Sequence, residues 1–243
     1  MKPQQLESPA SVAEMVLSPA AFVDLGLTDY AAAYDLQRRL VDRRHHGSSA
    51  DDIFLLTEHR PVFTLGKRGG RESLMVSEEF LAERGVGLMQ IERGGLITYH
   101  GPGQLVLYPI FHLREAGLSV SDYVFQLEEV MLALAKFFGI SANRDERNHG
   151  VWVGNNKLGS IGIAIRHGIT FHGLAMNVEV DPEPFGWVNP CGLAGVSMTS
   201  LSLERGTKVE LAVAKKQLLV VLHEVFARNF QLRSAPSMHA QKS

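Results

Sequence analysis

The sequence predicts an α+β fold in which helices pack on a mixed, mainly antiparallel β-sheet. Long segments with apolar residues three and four positions apart alternate with groups of short apolar runs. The short runs are joined by turn sequences such as Asn155-Asn156 and His167-Gly168, as in hairpins, and do not alternate one by one with helices. The order is helix, strands, helix, strands, helix, which is typical of helices that cover a sheet built from hairpins.

Four segments have helical patterns. In the first, Thr28 is the expected cap and Gly47 the expected end. In the second, which is short, Ser77 is the expected cap and two acidic residues in the first turn suit the helix dipole. The third has the clearest helical spacing, and the fourth is long and amphipathic. The predicted helices cover residues 28–47, 77–85, 119–139 and 208–230.

Short apolar runs between these helices predict the strands. Pro61 divides the first run into two strands, because proline has no N–H for the hydrogen-bond ladder. Two further runs precede and follow a glycine-rich segment, and a longer stretch after the third helix holds several strands joined by tight turns. The predicted strand segments are residues 52–66, 88–92, 105–113 and 150–180.

The chain contains no internal repeat and no linker rich in proline or serine that would divide it. A length of 243 residues suits one large domain or two small ones. We therefore predict a single domain over residues 19–232. A loosely ordered leader, residues 1–18, precedes it, and a tail, residues 233–243, follows it.

Composition argues against several classes of function. The formal net charge is −2, so no global basic field is available to hold nucleic acid. No apolar run reaches the roughly 18–20 residues needed to cross a bilayer, and the N-terminal segment lacks the apolar core of a signal peptide. Cys191 is the single cysteine, so no intrachain disulfide can form and a reducing compartment, the cytoplasm, is expected.

Cys191 is the candidate nucleophile. Pro190 before it has a fixed φ, and Gly192 after it leaves room for another molecule to approach the sulfur. The N–H of Gly192 is a candidate donor to a developing oxyanion. The alternative from the residues alone is that a lone cysteine is a small buried apolar side chain.

Lys157 is the second candidate, since a lysine at the start of a glycine-rich apolar strand needs solvent or a partner for its ammonium group. Near a thiol, that ammonium would stabilise the thiolate. The alternative is a lysine at a strand edge that faces water.

The segment from Arg93 to His100 joins two glycines to residues with hydrogen-bond donors and leads into the turn at Pro102-Gly103. It is either a surface where a substrate approaches the backbone or a turn that joins two strands. His172, which also precedes a glycine, presents the same choice between a site residue and a structural histidine.

Common cofactor and metal motifs are missing from the sequence. Residues 65–69 resemble part of a phosphate loop but lack its upstream glycine and its final Ser or Thr. Residues 101–106 begin like a dinucleotide loop without the third glycine. There is no HExxH, no CxxC pair and no G-x-S-x-G. No cofactor and no metal site are predicted.

Five stretches together resemble the octanoyltransferases that act on lipoyl domains, the lipoate-protein ligase B type. The resemblance covers about residues 20–230, with matching order and spacing, and Lys157 and Cys191 are separated as the lysine and cysteine of that family are. The stretches are residues 58–69, 93–110, 150–165, 167–178 and 189–201.

The resemblance implies a fold like the catalytic domain of biotin and lipoate protein ligases, so that residues 19–232 would form an acyltransferase domain. It implies transfer of an octanoyl or lipoyl group from acyl carrier protein to a lysine of lipoyl domains, in lipoate biosynthesis. The acceptors would be the lipoyl domains of 2-oxoacid dehydrogenase complexes and the glycine cleavage H protein. Neither nucleic acid nor membrane is an expected partner.

The resemblance also assigns roles to residues. Cys191 would carry the acyl group as a thioester, and Lys157 would lower the pKa of that cysteine. His172 is a possible supporting residue. The predicted substrate-binding residues are Arg93, Gly94, Gly95, Leu96, Ile97, Thr98, Tyr99, His100, Ser160, Ile161, Gly162, Gly173, Leu174 and Ala175.

Three other functions stay open at this point. A ligase of the same fold would activate a free acid with ATP and would need a nucleotide loop. An amidotransferase would move octanoate between lipoyl proteins through a cysteine. A non-catalytic acyl-binding or carrier-docking protein would keep the fold without turnover.

Overall fold

The computed structural model describes residues 18–49, 51–189 and 196–235. Two sheets are present in these ranges. The strands of the larger sheet are β1 (Ser18–Thr28), β2 (Asp52–His59), β6 (Gln104–Ile110), β7 (Gly150–Val153), β8 (Asn156–Arg166), β9 (Ile169–Asn177), β10 (Ser197–Met198) and β11 (Arg228–Leu232). The strands of the smaller sheet are β3 (Val62–Leu65), β4 (Gly87–Gln90) and β5 (Ile97–His100).

Five α-helices and two short 3-10 helices accompany the sheets in the described ranges. The α-helices are α1 (Tyr30–His45), α2 (Glu78–Glu83), α3 (Val120–Phe137), α4 (Leu201–Arg205) and α5 (Leu211–Phe226). The 3-10 helices are Arg71–Ser73 and Glu183–Trp187.

The larger sheet has the order β10-β8-β9-β6-β2-β1-β11, with β7 paired to β8. Its centre is antiparallel, from β8 through β9 and β6 to β2. Its two margins are parallel, because β1 pairs in parallel with both β2 and β11, and β10 pairs in parallel with β8. The sheet is therefore mixed with an antiparallel centre, as predicted.

The helices cover both faces of this sheet. α3 and α5 bury the main apolar cluster on one face, and α1 buries a second cluster on the other. Side chains of β9 point alternately to the two faces of the sheet, so this strand contributes to both clusters. Leu174 and Met176 belong to the first cluster, and Phe171 and Ala175 belong to the second. The smaller sheet has the strand order β4-β3-β5 and its own apolar cluster. The glycine-rich segment that begins at Arg93 leads into its strand β5.

Ser77 caps α2 as predicted, since its side chain accepts a hydrogen bond from the Phe80 N–H at 3.2 Å. The predicted cap at Thr28 is wrong. Asp29 holds that position without a side-chain bond, while Thr28 ends β1 and its hydroxyl lies 2.7 Å from that of Thr57. The Thr28 hydroxyl is bonded to a residue of the neighbouring strand and therefore does not cap the helix.

The predicted end of the last helix is also wrong. α5 stops at Phe226, Ala227 takes a left-handed conformation with φ of 48°, and the chain continues as β11. The pairing of β11 with β1 is a contact between distant parts of the sequence, which helical periodicity does not reveal.

Residues 1–17 and 236–243 lie outside the described residues, so the division into leader, domain and tail stays a prediction. Ser18 is the first residue of β1, and the Arg233 N–H donates to the Phe22 carbonyl at 2.9 Å. Within the described ranges, no helix combines the length and apolar character needed to cross a bilayer.

Candidate active site

A cavity of about 580 Å³, including its open mouth, lies over the α1-facing side of β8 and β9. Its floor consists of residues with small side chains, where Ser160 pairs with Ala175 and Gly162 pairs with Gly173. Small residues on two adjacent strands leave space above the sheet that larger side chains would fill.

Gly173 is required by the approach of the neighbouring strand. A Cβ atom at this position would overlap the carbonyl oxygen of Leu107 and lie 2.9 Å from Cδ of Pro109. Backbone cannot move aside as the end of a flexible side chain can.

We expect Gly173→Ala to lower the free energy of unfolding by about 1–3 kcal/mol, because the added methyl group forces β6 and β9 apart. Urea denaturation measures the change. Gly186→Ala is the matched control, because a Cβ there meets nothing within 4 Å. Equal stability of the two variants would contradict the packing argument.

Arg93 forms part of the cavity wall and is fixed by several hydrogen bonds. Its Nη2 donates to the carbonyl and hydroxyl oxygens of Thr64 at 2.6 and 2.9 Å, and its Nη1 donates to the Gly94 carbonyl at 2.9 Å. The Gly94 N–H donates to the Ile163 carbonyl at 2.9 Å, which ties the segment to β8. A Cβ on Gly162 would lie 2.8 Å from Cδ of Arg93, so this glycine admits the arginine.

Lys157 also lines this cavity. The residue is only 5% exposed, and its Nζ lies 5.1 Å from the ring centroid of Trp152. An aromatic face at this distance stabilises an ammonium group. This burial contradicts the alternative of a strand-edge lysine that faces water.

Cys191 lies outside the described residues, as do Pro190 and Gly192. The chain re-enters the described region at Val196, and β10 then pairs Met198 with Lys157. The Thr199 N–H donates to the Lys157 carbonyl at 3.0 Å. The described residues that follow Cys191 in the sequence therefore pair with the sheet beside the candidate lysine.

A second cavity of about 450 Å³ adjoins the first. Ile97, Thr98, Lys157 and Ser160 border both. The remaining wall of the second cavity is largely apolar and aromatic. It consists of Tyr99, Trp152, Phe185, Val188, Val196 and Met198.

His100 and His172 both line the first cavity and are buried. Burial lowers the pKa of His172 to about 3, with a smaller effect from the Arg93 charge. Burial also holds the pKa of His100 well below its usual value, assisted by the neighbouring His59. Both rings are therefore neutral at physiological pH and act as hydrogen-bonding groups.

The backbone of His172 explains how its ring enters the cavity wall. The residue has φ of 54°, its N–H donates to Oε1 of Gln37 at 2.7 Å, and its ring stacks on Tyr34. Its Nδ1 lies 3.3 Å from the hydroxyl of Tyr30. A left-handed conformation in a non-glycine residue is uncommon and places the ring toward α1.

Most of the predicted substrate-binding residues border the first cavity. Ile161 and Leu174 do so although their side chains pack in the main apolar cluster, so their backbone faces the space. Tyr99 borders the second cavity instead, and Gly94 does not appear among the described lining residues of either. The functional roles of all these residues stay predictions.

Sequence reasoning missed Tyr30, Tyr108 and Trp152, all of which line the cavities. Tyr30 begins α1 and Tyr108 lies in the buried strand β6. The sequence around each tyrosine is therefore typical of an ordinary core residue. Trp152 lies five positions before Lys157, and only the bend between β7 and β8 brings its ring to the ammonium group.

The catalytic-domain model of the lipoyl protein ligase A/B family matches residues 29–223. An octanoyltransferase from Desulfotalea psychrophila is 53% identical over 222 residues, which cover 90% of this chain and 98% of that protein. The chain belongs to the octanoyltransferase family. A further octanoyltransferase, from Syntrophobacter fumaroxidans, is 43% identical to it over 93% of this chain and 98% of that protein. The chain is accordingly an acyltransferase, as predicted.

Solved structures confirm the predicted fold of the chain. The bipartite lipoate protein ligase of Thermoplasma acidophilum has a TM-score of 0.70 at 14% identity, over 91% of this chain and 89% of that one. A biotin protein ligase from Aquifex aeolicus has a TM-score of 0.50 at 12% identity, over 85% and 70%. Identities this low support a shared fold alone.

Proposed function

We propose that this enzyme moves an octanoyl group from acyl carrier protein to a lysine amine of a lipoyl domain through a thioester on Cys191. The lipoyl domains of 2-oxoacid dehydrogenase complexes and the glycine cleavage H protein are the proposed acceptors, and the cytoplasm is the proposed location. The observation that carries the mechanism is the buried Lys157, which borders both cavities and pairs with Met198, a few residues after Cys191 in the sequence.

In the first step, the Cys191 thiolate attacks the carbonyl carbon of the carrier thioester. The bond from that carbon to the carrier sulfur breaks, and the carrier leaves as a thiol after it takes a proton from the Lys157 ammonium group, which leaves Lys157 as a neutral amine. One thioester replaces another, so the free-energy change is small. The acyl group then rests on the enzyme while the carrier is exchanged for the acceptor.

In the second step, the acceptor amine attacks the Cys191 thioester and forms an amide. The carbon–sulfur bond breaks, the amine loses a proton, and the thiolate is regenerated. Amide formation from a thioester is downhill, so the acyl carrier supplies all the activation that the transfer needs. A ligase of the same fold would instead activate free octanoate with ATP.

Lys157 serves both steps in this proposal. A free thiol with a pKa of about 8.5 is only a few per cent ionised at neutral pH. As a cation, Lys157 would lower the pKa of Cys191, and the face of Trp152 favours that cationic form. As a neutral amine, Lys157 would accept the proton that the attacking lysine releases.

The first cavity is the proposed site for the octanoyl chain. Burial of each methylene contributes about 0.8 kcal/mol, so six of them contribute on the order of 5 kcal/mol to binding. The floor of small residues gives the chain room against the backbone of β8 and β9. A chain too long for the cavity would be excluded by overpacking.

Mass spectrometry after mixing the protein with octanoyl-acyl carrier protein tests the proposal. We expect one octanoyl adduct, on the peptide that contains Cys191, and its disappearance when a lipoyl domain is added. Cys191→Ser is expected to form neither adduct nor product.

Two results would contradict the proposal. Octanoylated lipoyl domain without an adduct on the wild-type enzyme would indicate direct transfer. Product from free octanoate and ATP, with none from the carrier, would indicate a ligase.

A further inference from the structure

The imidazole of His100 is fixed by a chain of hydrogen bonds that begins at a backbone carbonyl. Asn177 Nδ2 donates to the Thr199 carbonyl at 2.9 Å, and Gln104 Nε2 lies 2.9 Å from Asn177 Oδ1. Gln104 Oε1 in turn lies 2.7 Å from Nδ1 of His100. Gln104, Asn177 and His100 are all buried, so the bonds of this chain are shielded from water.

The carbonyl sets the direction of every bond in the chain. A carbonyl oxygen only accepts, so the Asn177 amide nitrogen faces Thr199 and its oxygen faces Gln104. Gln104 therefore donates from Nε2, which also donates to the Tyr99 carbonyl at 3.3 Å, and accepts at Oε1. The hydrogen between Gln104 and His100 consequently belongs to Nδ1 of the histidine.

The remaining nitrogen of His100 is therefore a hydrogen-bond acceptor. Burial holds the pKa of His100 well below its usual value, so the ring carries a single N–H, and that N–H is at Nδ1. Nε2 carries no hydrogen and lies on the side of the ring away from Gln104. His100 lines the first cavity, and its ring stacks on Tyr30 with centroids 5.7 Å apart. We therefore infer that the lone pair of Nε2 is available to a group bound in that cavity.

The position of His100 along β5 relates it to the distal part of an acyl chain. Thr98 borders both cavities together with Lys157, and His100 follows two residues later on the same face, roughly 7 Å further on. An extended eight-carbon chain has seven carbon–carbon bonds of about 1.5 Å and spans on the order of 9 Å. With its carbonyl at the junction of the cavities, the chain would carry its last carbons to His100.

We propose that His100 Nε2 accepts a hydrogen bond from the distal end of the acyl chain, so that the enzyme takes eight-carbon chains with a terminal hydroxyl group as well as octanoyl. This inference rests on the proposed function, since it assumes that the chain occupies the first cavity. A hydroxyl buried without a partner in an apolar pocket would give a roughly 10- to 100-fold preference for octanoyl, which corresponds to about 1.4–2.7 kcal/mol. A hydrogen bond from the hydroxyl to His100 Nε2 compensates the cost of burying it, so the preference for octanoyl disappears.

The test compares rates of Cys191 acylation from octanoyl and 8-hydroxyoctanoyl carrier protein by intact-protein mass spectrometry. In the wild-type enzyme, we expect the ratio of the hydroxylated to the plain rate to lie within about threefold of one. In His100→Phe, which keeps a ring against Tyr30 and removes the acceptor, we expect this ratio to fall by about 10- to 100-fold. His112→Phe is the matched control, because it makes the same change beside Gly168 and should leave the ratio unaltered.

A second variant tests the direction of the hydrogen-bond chain. Gln104→Met removes the oxygen that fixes the hydrogen on Nδ1, so the imidazole hydrogen is free to move to Nε2 and make it a donor. We expect this variant to improve acylation by 7-oxooctanoyl carrier protein, whose chain end only accepts, relative to octanoyl by at least fivefold.

A wild-type enzyme that rejects the hydroxylated chain more than tenfold would overturn the inference. An unchanged ratio in His100→Phe, or an unchanged preference in Gln104→Met, would do the same. Failure of the proposed function gives a different result, because octanoyl itself would then form no adduct on Cys191.

Discussion

Lys157→Met is expected to slow the acylation of Cys191 by about 30-fold or more at pH 7, and by only a few-fold at pH 9.5. An unassisted thiol with a pKa of about 8.5 is a few per cent thiolate at pH 7, so loss of the neighbouring cation removes most of the nucleophile. Above pH 9 the thiol ionises without the neighbouring cation, so the acylation rate of the variant approaches that of the wild-type enzyme. The rate of adduct formation from octanoyl carrier protein measures the effect.

The pH dependence separates this role from a purely structural one. Lys157→Arg keeps the positive charge and should retain more activity at pH 7 than Lys157→Met. Lys216→Met, an exposed change on α5, is the matched control and should leave the rate unaltered. Equal losses in Lys157→Met at both pH values would show that the lysine supports the fold and does not ionise the thiol.

The parts of the site that the sequence predicted are formed by residues that lie close together in the sequence. β8 and β9 form a hairpin, so the pairing of Ser160 and Gly162 with Ala175 and Gly173 follows from the turn between them. Small residues at alternate positions of such a hairpin indicate space above one face. The glycine-rich segment before β5 then supplies the opposing wall.

The parts that the sequence did not predict depend on contacts between distant residues. β1 and β11 pair although they lie at opposite ends of the described chain, and neither strand has a turn that marks its partner. Tyr30 and Tyr108 come from a helix and a strand that meet only in the folded protein. Aromatic residues in apolar segments look the same whether they line a cavity or fill the core.

The direction of the hydrogen bonds at His100 also lies beyond the sequence. Residues Gln104, Asn177 and Thr199 carry no pattern that links them, and each is an ordinary polar residue at the end of a strand or near one. Only their distances and the fixed polarity of a backbone carbonyl assign the hydrogen to Nδ1.

Because several histidines are buried in their neutral form, we expect the free energy of unfolding to fall strongly in mild acid. Burial lowers the pKa of His59 to about 4 and that of His172 to about 3, while a histidine in the unfolded chain titrates near 6.5. As pH falls below 6.5, the unfolded state binds protons that the folded state does not. The stability that neutral histidines provide is therefore complete above pH 6.5 and is lost as pH falls toward 4.

At pH 5, each of these two histidines should lower the free energy of unfolding by about 2 kcal/mol relative to pH 8, or about 4 kcal/mol together. His100, whose pKa burial also lowers, acts in the same direction. The loss is large beside a typical total stability of about 5–15 kcal/mol. Urea denaturation between pH 5 and pH 8 measures it. The raised pKa of Asp52 acts in the opposite direction, so a variant is needed to assign the loss to a histidine.

His59→Gln provides that assignment. Nδ1 of His59 lies 3.3 Å from the Thr28 carbonyl and its Nε2 lies 2.7 Å from the Tyr108 hydroxyl, so the ring donates on one side and accepts on the other. A glutamine amide offers the same donor and acceptor but does not titrate. We expect the variant to reduce the slope of stability against pH by about 1.2 kcal/mol per unit between pH 6 and pH 5. An unchanged slope would mean that His59 is protonated in the folded protein, and the burial of a neutral ring would no longer explain the acid sensitivity.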